Sequence, residues 1–133
     1  MKNRQSAPKR PNKQAKTEPV TFDVVRQMAL ELPGVEEGGS YGTPAFKVNG
    51  KLLARFHQDG EALVVRVEYV AREVLMGANP KTFYVTDHYR CWPWVLVRLS
   101  SVRRDDLRQL LEEAWRSRAS KRAILAWDAS REQ

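Results

Sequence analysis

The clearest hydrophobic pattern in the chain is a pair of apolar-rich runs that flank Asn49 and Gly50. Both residues tolerate positive φ, so the dipeptide predicts a tight β-hairpin. A two-residue loop would divide the apolar residues between the two faces, whereas a three-residue loop beginning at Val48, with Gly50 in a bulge, gathers them on one face. Since a slip of one residue inverts every side chain, burial favours the three-residue loop. In that register the core face carries Phe46, Val48, Leu52, Ala54 and Phe56, and the other face carries Lys47, Lys51, Leu53 and Arg55.

Two helices and a third strand are predicted around this hairpin. Residues 20–32 show helical spacing and end at Pro33 and Gly34. The β-branched run 62–68 follows a turn and predicts the third strand, and residues 69–76 predict a short helix that stops at Gly77. The glycine-rich segment 36–42 lacks the lysine and hydroxyl residue of a phosphate-binding loop, so we expect a flexible connection there.

The remainder of the chain predicts two more strands and a helical end. Residues 82–86 and 94–99 predict the strands, joined by a polar and aromatic loop. A stripe of leucines beginning at Leu107 predicts a long amphipathic helix, and residues around Trp127 predict a final short helix. The order of the main elements is therefore α-β-β-β-α-β-β-α.

This order predicts a two-layer α+β fold. Strands joined by short turns favour a mainly antiparallel five-stranded sheet, and the helices can cover one face of it, which leaves the other face open. We expect a single α+β domain over residues 20–128, preceded by a disordered basic tail at 1–19 and followed by a frayed C-terminus at 129–133.

Composition limits the cellular compartments in which we expect the protein. The chain has 133 residues and a single cysteine, Cys91, which excludes an internal disulfide. Its apolar runs are shorter than the ~20 residues of a membrane span, and the start of the chain has no apolar signal-peptide segment. These features predict a cytoplasmic protein that does not contact membranes.

The net charge of +7 is concentrated at the N-terminus. Residues 1–17 hold six cations and no acid, and the remaining 17 basic and 16 acidic residues give the body a charge of +1. A tail of this kind can bind phosphate backbones without sequence specificity. A solubilising extension is the alternative interpretation. The cations that we assign to binding are Lys9, Arg10, Lys13 and Lys16.

The candidate chemical groups do not predict an enzyme. Asp87, His88 and Cys91 lie on one short loop, but the only other histidine is His57, which is too few ligands for a zinc site of the usual Cys/His type. No orienting third group accompanies the Cys-His pair. We therefore expect a non-enzymatic protein with no metal and no cofactor.

Several short motifs in this chain resemble those of the MmcQ/YjbR-like family over about residues 21–120. They are Leu32-Pro33-Gly34, the run from Gly42 to Val48, Gly50-Lys51, and Trp94-Val95 with Leu99 ahead of the leucine-rich helix. The resemblance implies a small α+β domain similar to the two-layer secretion-chaperone arrangement. Family members are often labelled DNA-binding, after a double-wing DNA-binding arrangement, so it also implies nucleic-acid binding. It implies no set of catalytic residues.

Strand alternation predicts where a ligand would bind on the open sheet face. It turns Arg55, Arg66, Trp94 and Arg98 outward, which would place cations beside a stacking surface, as a single-stranded nucleic acid or an acidic peptide would require. A solvated sheet face with a half-buried tryptophan is the alternative interpretation. The sequence thus predicts a protein that binds nucleic acid, such as DNA, through its tail and the open face. The alternative is a protein-interaction module that binds a peptide or a second copy of itself through this face or a sheet edge.

Overall fold

A computed structural model of the protein describes residues 19–40 and 42–132. Its α-helices are α1 (Phe22–Leu30), α2 (Tyr69–Ala78), α3 (Arg104–Arg116) and α4 (Lys121–Arg131). Its strands are β1 (Glu36–Ser40), β2 (Thr43–Val48), β3 (Lys51–Phe56), β4 (Ala62–Arg66), β5 (Phe83–Tyr84) and β6 (Trp94–Arg98). All six strands form one antiparallel sheet in the order β1-β2-β3-β4-β6-β5. The predicted α+β class is confirmed, and the described residues form six strands in place of the expected five.

The additional strand is β1, in the segment that was expected to be a flexible loop. It pairs along its whole length with β2, with Glu36 opposite Lys47. Arg26 of α1 donates to the Glu37 carboxylate over 2.5 Å. A ladder of backbone hydrogen bonds does not need β-branched side chains, so a glycine-rich segment can join a sheet whose neighbouring strand supplies the partner groups.

The hairpin between β2 and β3 has a two-residue loop, so the predicted three-residue loop is wrong. Val48 pairs with Lys51, and both loop residues have positive φ, 53° at Asn49 and 74° at Gly50. Positive φ at both central positions is the geometry that Asn-Gly favours in a tight hairpin.

A bulge in β3 reconciles this short loop with burial. Lys47 pairs with Leu52, whereas Phe46 pairs with Ala54, which leaves Leu53 as an extra residue. The side chains of Leu53 and Ala54 both belong to the main core, and Leu52 lines a cleft elsewhere. From Leu53 onward, the side chains of β3 therefore point to the faces opposite to those that simple alternation from the turn would give. The prediction that Leu52 would be buried in the core is wrong.

The main core lies between the sheet and the four helices. It contains Phe46, Leu63, Val95 and the fully buried Trp115, whose indole Nε1 donates to the Pro33 carbonyl over 2.8 Å. Thr21 and Ser120 cap the N-termini of α1 and α4 with their side-chain oxygens. α2 continues through Gly77, and α4 continues to Arg131, beyond residue 128 where we expected the domain to end.

The opposite face of the sheet is partly covered, although we expected it to be open. A second, smaller core on this face contains Ala62, Val64, Tyr89 and Leu96. Tyr89 comes from the connection between β5 and β6, residues 85–93, which we call the aromatic loop. A 3₁₀ turn at Asp87–Tyr89 lies in this loop. None of the helices in the described part of the chain is long and apolar enough to cross a membrane.

Candidate ligand cleft

The aromatic loop provides one wall of a cleft on the second face of the sheet. Tyr89 is only 7% exposed, because its ring lies over the small core formed by β4 and β6. His88 meets Tyr89 edge to face, with 4.7 Å between the ring centres and an angle of 88° between the planes. The two rings therefore pack in the edge-to-face arrangement that aromatic pairs favour.

Arg55 of β3 lies under the loop. Its guanidinium donates to the Tyr89 hydroxyl and to the Phe56 carbonyl, and its central carbon is 5.7 Å from the centre of the Tyr89 ring. The residue is 6% exposed. Arg55 points away from the helices, as the sequence predicted, but it is buried by the loop and does not stand on an open surface.

The cleft beside these residues has a volume of about 500 Å³. Its residues come from β3, β4, the β3–β4 turn, the aromatic loop and the start of β6. They are Leu52, Arg55, Gln58, Val64, His88, Tyr89, Trp92 and Trp94. Most of this lining is aromatic or apolar, and the remaining side chains can form hydrogen bonds. Such a site is suited to a flat ligand with polar edges.

Trp92 is an exposed aromatic side chain of the cleft, at 59%, whereas Tyr89 is buried and Trp94 is half-buried. Trp94, which also lines the cleft, packs against the second core. The sequence identified Trp94 but did not assign a role to Trp92 or His88. The alternation of β6 could predict the direction of Trp94, whereas no periodicity operates within the aromatic loop.

The other predicted site residues of the body, Arg66 and Arg98, do not converge on the cleft, and Arg66 instead lines a small pocket with residues of α2 and α3. Arg66 is the sheet partner of Trp94, and its Nη1 donates to the Val67 carbonyl over 3.0 Å while Nη2 lies 3.5 Å from the Glu68 carboxylate. Arg98 donates to the Lys81 carbonyl over 2.8 Å.

Arg98 also lies over the ring of Tyr84, with its central carbon 4.7 Å from the ring centre. Burial raises the pKa of the Tyr84 hydroxyl, and the charge of Arg98 partly offsets that rise. The arginines predicted to form one surface are therefore engaged in separate local contacts. Lys9, Arg10, Lys13 and Lys16 lie outside the described residues.

A second cleft, of about 780 Å³, lies at the end of the sheet where the described chain begins. Pro19, Phe22 and Phe56 line it, and the two phenylalanine rings are 4.6 Å apart. Gln58 lines both clefts, so the two are neighbours.

Other polar groups near the clefts form local pairs. The Asp87 carboxylate accepts from Arg90 over 3.1 Å, and His57 lies 3.2 Å from Asp59. Burial alone would raise the pKa of Asp59, but hydrogen bonds from the backbone and from His57 outweigh it and lower the pKa. Among residues 19–40 and 42–132, no cluster of three or more His, Cys, Asp or Glu residues is arranged to hold a metal ion.

Comparison with solved structures supports this description of the fold. The crystal structure of Deinococcus radiodurans protein DR2400, whose family-model domain is DUF419, superposes with a TM-score of 0.65. The two chains are 28% identical, and the match covers 75% of this chain and 79% of the other.

Sequence comparison finds uncharacterized proteins of Mycobacterium bovis and Mycobacterium tuberculosis that are 33% identical to this chain over 72 residues. The match covers 53% of this chain and 56% of theirs, so the chain spans about half the length of the curated relatives it matches. The model of the YjbR family matches residues 30–117, which include all six strands and the whole aromatic loop. The chain belongs to the YjbR family.

Proposed function

We propose that this protein is a non-enzymatic nucleic-acid-binding module that takes an unpaired base into the aromatic cleft. The observation that carries the proposal is the pairing of an exposed tryptophan, Trp92, with a preformed aromatic cleft of about 500 Å³. An aromatic ring that is 59% exposed offers a surface on which a base can stack, and each such contact contributes about 1–3 kcal/mol.

The polar groups of the cleft suit the edge of a base. Gln58 and His88 provide side-chain donors and acceptors, while Leu52 and Val64 provide an apolar floor. Sequence-tolerant stacking with a few polar contacts is typical of proteins that bind single strands. A paired base in duplex DNA cannot enter such a cleft without leaving its stack, so the geometry favours single-stranded nucleic acid.

The basic N-terminal residues would supply contacts to phosphates. Pro19 lies at the cleft that shares Gln58 with the aromatic cleft, so the chain leaves the described region next to the proposed site. Lys16 is three residues before Pro19 in the sequence. Three residues of fully extended chain span at most ~11 Å. A single-stranded nucleic acid with one base in the cleft would therefore have phosphates within reach of Lys16, the cation of the tail nearest to Pro19 in the sequence.

The proposal can be tested with a fluorescein-labelled oligothymidylate in an anisotropy titration. Trp92→Ala should weaken binding about tenfold or more, because it removes a stacking surface. Leu125→Ala is the matched control, since Leu125 is 69% exposed on α4 and should leave affinity unchanged. Duplex DNA of the same length should bind more weakly than the single strand.

The tail is tested by the same titration at several salt concentrations. Deletion of residues 1–17 should abolish most binding, and the slope of log affinity against log salt should be no steeper than ~5 in the full-length protein, from six cations at ~0.9 per phosphate. If the deletion and Trp92→Ala both bind as the wild type does, the proposed function is wrong.

A protein-interaction module is the second candidate, and the outer surface of α2 favours it. Val70 and Val74 lie one turn apart and are 78% and 65% exposed, and adjacent exposed apolar side chains mark contact surfaces. The edge strands β1 and β5 could also pair with a peptide or a second copy. Sedimentation velocity over a wide concentration range tests self-association, which Val70→Ser with Val74→Ser should reduce.

A further inference from the structure

Arg72 of α2 makes an unusual set of contacts with the aromatic loop. The residue is 5% exposed, and its guanidinium donates to four backbone carbonyls. Nη1 reaches the carbonyls of Trp92, Trp94 and Tyr89 at 2.8, 3.1 and 3.3 Å, and Nη2 reaches that of Arg90 at 2.9 Å. One buried cation thus contacts both ends of the segment that forms the cleft wall.

Neighbouring residues complete these contacts. The Tyr69 hydroxyl donates to the Cys91 carbonyl over 2.8 Å, and the Val67 amide donates to the Pro93 carbonyl over 3.0 Å. The Tyr69 ring lies 5.1 Å from the central carbon of Arg72. Each of the six carbonyls in residues 89–94 therefore accepts a hydrogen bond from residues 67–72.

The chemistry of arginine explains why this residue type is required. The guanidinium stays charged when it is buried, and its planar fork directs several donors at once. A buried charge is stable only where polar groups face it, and here the oxygen ends of four carbonyl dipoles face Nη1 and Nη2, whereas Nε is buried without a hydrogen-bond partner. Because the acceptors are backbone atoms, the contacts fix the path of the loop and do not depend on its side chains.

We propose that Arg72 is the positioning residue of the aromatic cleft. It holds the aromatic loop so that Tyr89 and Trp92 form a wall before any ligand arrives. This inference rests on the proposed function, because it assigns Arg72 a role in ligand affinity. When only a fraction of the molecules holds the loop in its binding conformation, the apparent dissociation constant equals the intrinsic one divided by that fraction. If loss of Arg72 lowers that fraction to about one tenth, affinity falls about tenfold.

The test compares Arg72→Met and Arg72→Lys with the control Arg108→Met. Arg108 is a half-exposed arginine of α3 that pairs with Glu31, so its loss should not disturb the loop. Amide hydrogen exchange of the ligand-free proteins reports loop order, and oligothymidylate anisotropy reports affinity. In Arg72→Met, peptides from residues 88–94 should exchange faster while those of β3 and β4 stay protected, and binding should weaken about tenfold.

Arg72→Lys should give an intermediate result, because lysine keeps the charge but brings its donors to a single nitrogen. Tyr69→Phe removes only the hydrogen bond to the Cys91 carbonyl and should show a smaller effect in the same direction. These two variants keep the test decisive if Arg72→Met does not fold.

The two readouts separate this inference from the proposed function. Unchanged loop exchange in all three variants would overturn the positioning role, as would faster exchange with unchanged affinity. If the wild-type protein binds no oligonucleotide, the proposed function is wrong, and so is the role of Arg72 in affinity. Faster exchange in the variants would still show that Arg72 holds the aromatic loop in place.

Discussion

Replacing Leu52 and Leu53 with alanine, one at a time, tests the bulge that sets the two faces of the sheet. The observed structure places Leu53 in the main core at 1% exposure and Leu52 in the lining of the cleft, half-buried. Simple alternation from a three-residue loop would reverse these positions. The two substitutions delete the same atoms from neighbouring residues, so each serves as the control for the other.

The expected magnitudes differ enough to decide the question. Truncation of a core leucine to alanine costs about 2–5 kcal/mol of unfolding free energy, from lost transfer energy and the cavity left behind. Leu53 is enclosed on all sides, so we expect about 3 kcal/mol. Leu52 already exposes part of its side chain to solvent, so its truncation should cost about 1 kcal/mol. The difference of about 2 kcal/mol corresponds to roughly 30-fold in the folding equilibrium constant.

Urea denaturation monitored by tryptophan fluorescence measures both variants. The midpoint should fall much further for Leu53→Ala, with an unchanged dependence on urea if both proteins unfold in two states. Leu52→Ala should instead weaken oligothymidylate binding, because it removes part of the cleft floor. A larger loss of stability in Leu52→Ala than in Leu53→Ala would refute the bulge and the division between core and cleft that depends on it.

Three further predictions concern the hairpin, the core and the contacts of α4. Gly50→Ala should cost about 1–2 kcal/mol in urea denaturation, because a Cβ at φ 74° is strained although it meets no neighbour within 4 Å. Trp115→Phe should cost about 1–3 kcal/mol, because it leaves the Pro33 carbonyl without its indole donor. Burial of Glu112 opposes its ionisation, but the hydrogen bonds from Arg116 and Arg131 and the charge of Arg131 act together against burial, and the pKa lies below the ordinary 4.5. Because the pKa is lower in the folded protein, the ionised Glu112 stabilises the fold above pH 4.5, and this stabilisation is lost as the pH falls through the folded pKa. In thermal melts from pH 6 to pH 3, the melting temperature of Glu112→Gln should therefore fall less than that of the wild type.

The sequence predicted the fold class because local signals and burial agreed over most of the chain. Helical spacing located α1, α2 and α3, and the Asn49-Gly50 dipeptide located the hairpin. The register of that hairpin was missed because burial and turn geometry conflict there. The turn favours two residues, burial favours three, and the protein satisfies both by inserting Leu53 as a bulge. No pattern within the sequence states at which residue a bulge will lie.

The candidate site was harder to predict for a different reason. Alternation gave the direction of Arg55 and Trp94, but it could not show that Tyr89 would cover Arg55. Nor could it show that Arg72, on the predicted helix, would bind the carbonyls of a loop about 20 residues away in the sequence. These contacts depend on how an irregular loop folds back, and irregular loops carry no periodic signal.

The sequences of the central strands β4 and β6 indicate that the second face of the sheet needs a cover. β4 and β6 carry unbroken apolar runs, Leu63 to Val65 and Val95 to Val97, instead of the alternation expected of a sheet with one open face. Side chains on both faces of these strands are therefore apolar, and Val64 and Leu96 on the second face need a cover. The aromatic loop provides it through Tyr89, and the cleft, which Tyr89 and Trp92 both line, lies beside this cover. A flat aromatic ligand stacked in the cleft would extend the same cover over Leu52, so the burial that folds the loop onto the sheet also creates the surface that we propose binds a base.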